Sequence, residues 1–234
     1  MADYDQSQQR LTVKLVYYGP ALSGKTTNLL RLHDLLHPQL RGELMSLETR
    51  NDRTLFFDLL PLGFRTPSGL VVRLKLFTVP GQVQHDSTRK AVLSRADGVV
   101  FVADSQVTQR INNGESFENL AANAARVGLA FENLPLVVQF NKRDLRDIVP
   151  ESEIRETWSE TPWPVVLACA ARGDGVRETF TALLHHAYEA LDGEFALASR
   201  HGAERSLFVG AVLDGAGGSP VGAAPCGAST LRVR

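Results

Sequence analysis

The sequence predicts an α/β fold in which a mostly parallel six-stranded sheet is flanked by helices. Three observations predict it. Short β-branched and apolar runs alternate with longer stretches of helical period along most of the chain. Several of those runs are apolar throughout, as expected of central strands covered on both faces. A Gly-rich turn joins the first run directly to a helical stretch, a junction suited to holding anions. Apolar residues make up 44% of the 234 residues and charged residues 22%, enough for one core and too apolar for a disordered chain. The length suggests one domain with an extension, divided as a leader at 1–10, a domain at 11–192 and a tail at 193–234.

The elements follow in order. Residues 11–19 (LTVKLVYYG) read as the first strand and 25–36 as the first helix. Residues 54–62 (TLFFDLLPL) alternate less cleanly and are expected to form an edge strand pairing with the segment after Pro67. Strands are then expected at 70–79, 98–105, 134–142 and 164–171, with helices at 86–95, 115–127, 151–158 and 176–191. The stripe through Phe180, Leu183, Leu184, Ala187 and Leu191 is the packed face of the last helix. Beyond about Asp192, Gly, Ala, Ser and Pro fill 215–229, so composition favours a flexible appendage; 206–213 (SLFVGAVL) reads as either a short strand or an apolar latch.

Composition excludes several function classes. With 25 Lys and Arg against 26 Asp and Glu, the formal net charge of −1 gives no general attraction to nucleic acid or an anionic membrane. The two cysteines, Cys169 and Cys226, cannot build a disulfide framework or a four-ligand zinc site, and free thiols suit a cytoplasmic protein. The start, MADYDQSQQR, lacks a secretory apolar segment, and no apolar run of about 18 residues is present, so no transmembrane segment is expected. His33, His37, His185 and His186 show no metal-like arrangement and read as solvated.

The chemistry concentrates in two stretches. Gly19, Pro20, Ala21, Leu22, Ser23, Gly24, Lys25 and Thr26 fit G-x-x-x-x-G-K-[ST], after a strand and before a helix that continues with Thr27. Backbone N–H groups of such a loop surround a phosphate chain while the helix presents its positive end. Lys25 would reach the β- and γ-phosphates, and the Thr26 hydroxyl would be a ligand of Mg2+. The second stretch, Asn141, Lys142, Arg143 and Asp144, follows an apolar strand. Guanine offers N1–H and an exocyclic amino group as paired donors, and one carboxylate, Asp144, can accept both. Adenine would leave that carboxylate unpaired at a cost of a few kcal/mol. Lys142 would lie along base and ribose, and Asn141 would tie this loop to the phosphate loop. Cys169, Ala170 and Ala171, after the last strand, could place a backbone amide on guanine O6.

These residues, with Thr54, resemble a small Ras-like GTPase with a G-domain fold. Residues 52–58 (DRTLFFD), 78–82 (TVPGQ) and 101–105 (FVADS) bring the resemblance closer, to the bacterial MglA group of mutual gliding and cell-polarity GTPases, over about 10–191. The resemblance implies that Thr54 completes the magnesium shell when a γ-phosphate is present, that Gly81 senses that phosphate through its amide, and that Gln82 orients the attacking water. It also implies that Arg53 swings in as an arginine finger in cis, worth about 10³ to 10⁵ in rate. A Roadblock-type (MglB-like) activating homodimer, polarity or motility effectors, and recruitment from the cytoplasm to a cell pole through partners are implied likewise.

Two departures from the pattern bear on activity. Thr78 stands where small GTPases usually have Asp, leaving magnesium fewer acidic ligands, as in the MglA group. Ala21 stands where the family usually has Gly, with its methyl beside the space Gln82 and Arg53 must enter, which predicts slow hydrolysis without an activating partner. Gln84 and His85 also replace the more aromatic residues of the resembling proteins. Two readings remain open: a GTP-hydrolysing switch, or a GTP-bound scaffold with negligible turnover. An ATP-dependent kinase is disfavoured by Asp144.

Overall fold

Strand β2 (Arg10–Tyr18) occupies the middle of the sheet because its sequence buries both faces. Leu11, Val13, Leu15 and Tyr17 enter one core and Val16 and Tyr18 the other. The computed structural model describes residues 2–48, 56–81, 86–215 and 219–220. On one side β2 pairs in parallel with β5 (Val71–Thr78), and on the other with β6 (Gly98–Asp104). Strands β7 (Leu136–Asn141) and β8 (Val165–Leu167) extend the parallel half. Beyond β5 the direction reverses: β4 (Phe56–Arg65) is antiparallel to β5, and β3 (Met45–Glu48) is antiparallel to β4. The order is β3-β4-β5-β2-β6-β7-β8, with two short additions, β1 (Asp3–Asp5) on β2 and β9 (Ser219–Pro220) on β4.

Helices cover both faces. Helix α1 (Lys25–Leu35) and α5 (Val176–Phe195) bury Leu29, Leu32, Phe180, Leu183 and Leu184 against one face. Helices α2 (Asp86–Leu93), α3 (Arg110–Arg126) and α4 (Glu151–Trp158) bury Leu93, Leu120 and Ile154 against the other. Among the described residues no helix is long and apolar enough to cross a membrane.

The fold class and the five expected helices match the sequence reading, with differences at the edges. Residues 54–62 were expected as an edge strand. The described strand is instead flanked by β3, because 45–48 returns as the other arm of a hairpin. The leader contributes β1. Helix α3 starts at Arg110, before the apolar period becomes visible, since its first turns carry polar residues.

The largest difference is the stretch after 192. Ala196, at φ 53°, turns the chain out of α5 into α6 (Leu197–His201) and then α7 (Arg205–Asp214). Phe208, fully buried, meets Phe64 of β4 edge-on at 5.5 Å and lies 5.5 Å from Tyr188 of α5. The Tyr188 hydroxyl donates to Ala203 O at 2.9 Å, and Arg205 pairs with Glu189. Composition misled here because α7 is apolar nearly all round and lacks the one-sided stripe that betrays a surface helix. The Gly-rich residues 216–218 and 221–234, with Cys226, lie outside the described residues.

Candidate functional site

The two motifs meet at the carboxyl ends of β2 and β7. The phosphate loop needs its glycines at two close approaches. At Gly19 (φ 144°) a methyl would sit 2.2 Å from Val102 O, and at Gly24 (φ 101°) one would sit 2.2 Å from Asn141 Nδ2. Leu22, at φ 62°, takes a left-handed conformation and stands 88% exposed, and Ala21 is exposed beside it. Ser23 is fully buried, and its hydroxyl has no hydrogen-bond partner among the described residues.

Lys25 opens α1, Thr26 and Thr27 follow it, and the lysine ammonium folds back over the loop, donating to Gly19 O at 3.0 Å and Pro20 O at 2.6 Å. Burial pushes its pKa down to about 7. The nearby Arg89 charge pushes the same way, and Asp58 opposes it. A cation so placed gains strongly from an incoming anion.

Asp58, on β4, is the residue that sequence reasoning missed. The register that pairs Leu59 with Phe77 sets it beside Thr78. Thr26 Oγ1 donates to its Oδ2 at 2.6 Å, Thr78 Oγ1 to the same oxygen at 3.0 Å, and Ser46 Oγ to Oδ1 at 2.9 Å. The Asp58 N–H in turn donates to Thr78 Oγ1 at 2.8 Å. Beside Thr78, where the sequence led us to expect fewer acidic groups, a buried carboxylate therefore arrives from the neighbouring strand. A hydroxyl that gives its proton to a carboxylate keeps its lone pairs free. Thr26 with Asp58 is thus an oxygen donor set that fits Mg2+. Among the described residues there is no cluster of three or more His, Cys, Asp or Glu to hold another kind of metal. A lone Asp inside the apolar run 54–62 was the signal available in the sequence.

The base end is tied together by Asn141. Its Nδ2 donates to Ser23 O at 2.8 Å, and its Oδ1 accepts the Ala170 N–H at 2.8 Å, joining three loops through one amide. The Ala170 amide is thereby engaged. Lys142, at φ 67°, is held by Asp104, whose Oδ2 lies 2.6 Å from its Nζ. Asp144 is exposed and ionises below the usual carboxylate range, first because the Cys169 thiol donates to it. Arg31 Nη2 reaches Ala171 O at 2.7 Å, bracing the same loop from α1.

Gly81 presses on the phosphate loop: a methyl there would lie 2.3 Å from Ala21 Cα. Arg53, Thr54 and Gln82, expected at the reacting phosphate, lie outside the described residues, as do Gln84 and His85.

The profile of the ADP-ribosylation factor family matches residues 66–187. The mutual gliding-motility protein MglA of Myxococcus xanthus is 44% identical over 183 residues, which cover 78% of this chain and 94% of that protein. ADP-ribosylation factor-like protein 4A of Homo sapiens is 28% identical over 172 residues, 70% of this chain and 78% of that protein.

Proposed function

The chain belongs to the MglA-like small GTPases, and from that premise we propose that it binds GTP with Mg2+, hydrolyses it to GDP and phosphate, and changes partners between the two states. The observation that carries this reading is the Thr26 hydroxyl set 2.6 Å from the buried Asp58 carboxylate at the mouth of the phosphate loop. Thr26 would hold the cation directly, with Asp58 behind it and Thr54 joining when a γ-phosphate is present. Bound there, Mg2+ would neutralise charge on the phosphate oxygens.

The chain's own groups do the rest. Lys25 turns from the loop carbonyls to the β- and γ-phosphates, and Gly81 offers its N–H to the γ-phosphate. Gln82 orients a water whose oxygen attacks the γ-phosphorus as the bond to the bridging oxygen breaks. Arg53 neutralises the charge that develops. Asp144 selects guanine, Lys142 lies along the base, and the loop of Cys169, Ala170 and Ala171 closes over O6. Ala21 keeps the intrinsic rate low, so turnover depends on a Roadblock-type (MglB-like) activating homodimer that completes the placement of Arg53 and Gln82. The name of the Myxococcus relative supports a role in gliding motility; a role in cell polarity, exercised at a cell pole through partners, belongs to the same proposal.

Ala21 in the phosphate loop, where the resembling proteins have Gly, favours a second reading, a GTP-bound scaffold with negligible turnover. One experiment addresses both. Purified chain is offered Mg2+ with equimolar guanine and adenine nucleotides, the retained nucleotide is identified by chromatography, and phosphate release is followed with and without the activating dimer. Retained guanine nucleotide with slow, dimer-stimulated release is expected. Retention of adenylates, or of nothing, refutes the proposal, and tight GTP retention without release in either condition selects the scaffold.

A further inference from the structure

The buried polar side chains beneath Pro80 and Gly81 include one large group that the reading above leaves unused. Arg89, on α2, is only 2% exposed, and among the described residues no carboxylate pairs with it directly. Its guanidinium is spent instead on two backbone carbonyls and one side-chain amide. Nε donates to Pro80 O at 3.0 Å, Nη2 donates to Gly81 O, and Nη1 donates to Asn119 Oδ1 at 2.9 Å. The plane lies 5.7 Å from the centre of the Tyr18 ring. Asn119 Oδ1 also accepts from the Tyr18 hydroxyl, and Asn119 Nδ2 donates to Asp86 Oδ1 at 3.1 Å. The fork is therefore fixed to β2 and α3 before it touches the loop.

We infer that Arg89 is a positioning residue for the γ-phosphate contact: by gripping the Pro80 and Gly81 carbonyls it aims the Gly81 N–H at the phosphate loop side of the peptide. In a trans peptide the carbonyl and the following N–H point in opposite directions. A Pro80 carbonyl held toward Arg89 therefore turns the Gly81 N–H away from it. Gly81 lies between that guanidinium and the phosphate loop, since a methyl on it would run into Ala21 N at 2.6 Å as well as Ala21 Cα. The planar guanidinium fork holds two consecutive carbonyls and a side-chain amide from three separate nitrogens in one fixed plane, a geometry that the single ammonium of a lysine does not reproduce. Arg89 also adds positive charge near Lys25, in the direction that favours an anion. This inference rests on the site being a GTP site.

The test separates the two nucleotide states. Dissociation constants for Mg·GDP and for a non-hydrolysable Mg·GTP analogue are measured on the full chain and on Arg89→Lys. The variant should weaken the GTP analogue roughly tenfold or more, the size of a lost charge-assisted hydrogen bond, while GDP changes less than about threefold. An equal loss for both nucleotides, as a merely structural role would produce, overturns the inference, as does no loss. If Arg89→Lys fails to fold, Asn119→Ser loosens the anchor while leaving Arg89 in place. It should shift the same ratio in the same direction by roughly threefold, and an unchanged ratio overturns the inference. A wild-type chain that binds neither guanine nucleotide would defeat the function proposed for the site, and the inference with it.

Discussion

The base end of the site stands on the parallel half of the sheet alone, whereas the phosphate end also draws on the antiparallel half, and the two hold their key side chains by different means. At the base end, Asn141 and Lys142 close the parallel strand β7 and are fixed by groups in or just after the parallel strands of the same half and in the phosphate loop: Ser23 O, the Ala170 amide and Asp104. At the phosphate end, the carboxylate comes from β4, the strand that runs the other way, and it reaches Thr26 only because the β4–β5 register is what it is. A one-residue slip in that register would turn Asp58 to the opposite face of the sheet. The parallel half thus carries its chemistry in contiguous motifs, whereas the antiparallel half carries it in strand pairing.

The contrast can be broken most severely at Asp58. Asp58→Ala should accelerate release of fluorescent GDP roughly 100-fold in Mg2+ and have little effect once the metal is chelated, while preference for GDP over ADP persists. Stopped-flow dissociation with and without chelator reads this, and wild-type release in Mg2+ would remove Asp58 from the cation site. The complementary change, Asp144→Ala, should weaken GDP by roughly 30-fold, leave ADP alone and keep the Mg2+ dependence intact. Equilibrium titration with both nucleotides decides it, and an equal fall for ADP would mean that the residue does not select the base.

A smaller effect sharpens the phosphate end alone. Lys25 ionises at about 7 in the chain against an ordinary 10.5. Between those values the unfolded chain binds the extra proton, so the nucleotide-free fold should gain stability as pH rises through the window and show no such slope below it. Phosphate restores the charge. Binding should therefore take up a proton above about pH 7, and GDP affinity should fall by at most roughly tenfold per pH unit. Calorimetry at pH 8 in two buffers of different ionisation enthalpy measures the uptake, and none would mean that Lys25 is already charged in the free chain.

This contrast also explains what could be read from the sequence. The loop from Gly19 to Thr26 and the Asn141 to Asp144 stretch are local, and each motif contains its own geometry. Asp58 is not local: Thr26 and Asp58 are 32 residues apart and meet by pairing across the sheet, which composition and period do not encode. Arg89 escaped notice for a related reason. It stands in a short, charged helix where an arginine normally faces water, and only the three-dimensional arrangement shows it turned inward onto two carbonyls. The helix at Arg205–Asp214 was missed because an apolar run with valines reads as a strand or a latch when its partners, Phe64 and Tyr188, cannot be seen.

That last helix has a practical consequence for anyone handling the protein. A version trimmed at residue 192, where the bulky residues thin out, would remove Phe208 from its seat and leave Phe64, on the very strand that delivers Asp58, and Tyr188 of α5 facing solvent. Such a shortened protein would turn sticky on the bench before it lost any chemistry, and poor recovery from a gel-filtration run could be mistaken for a failure to hold nucleotide.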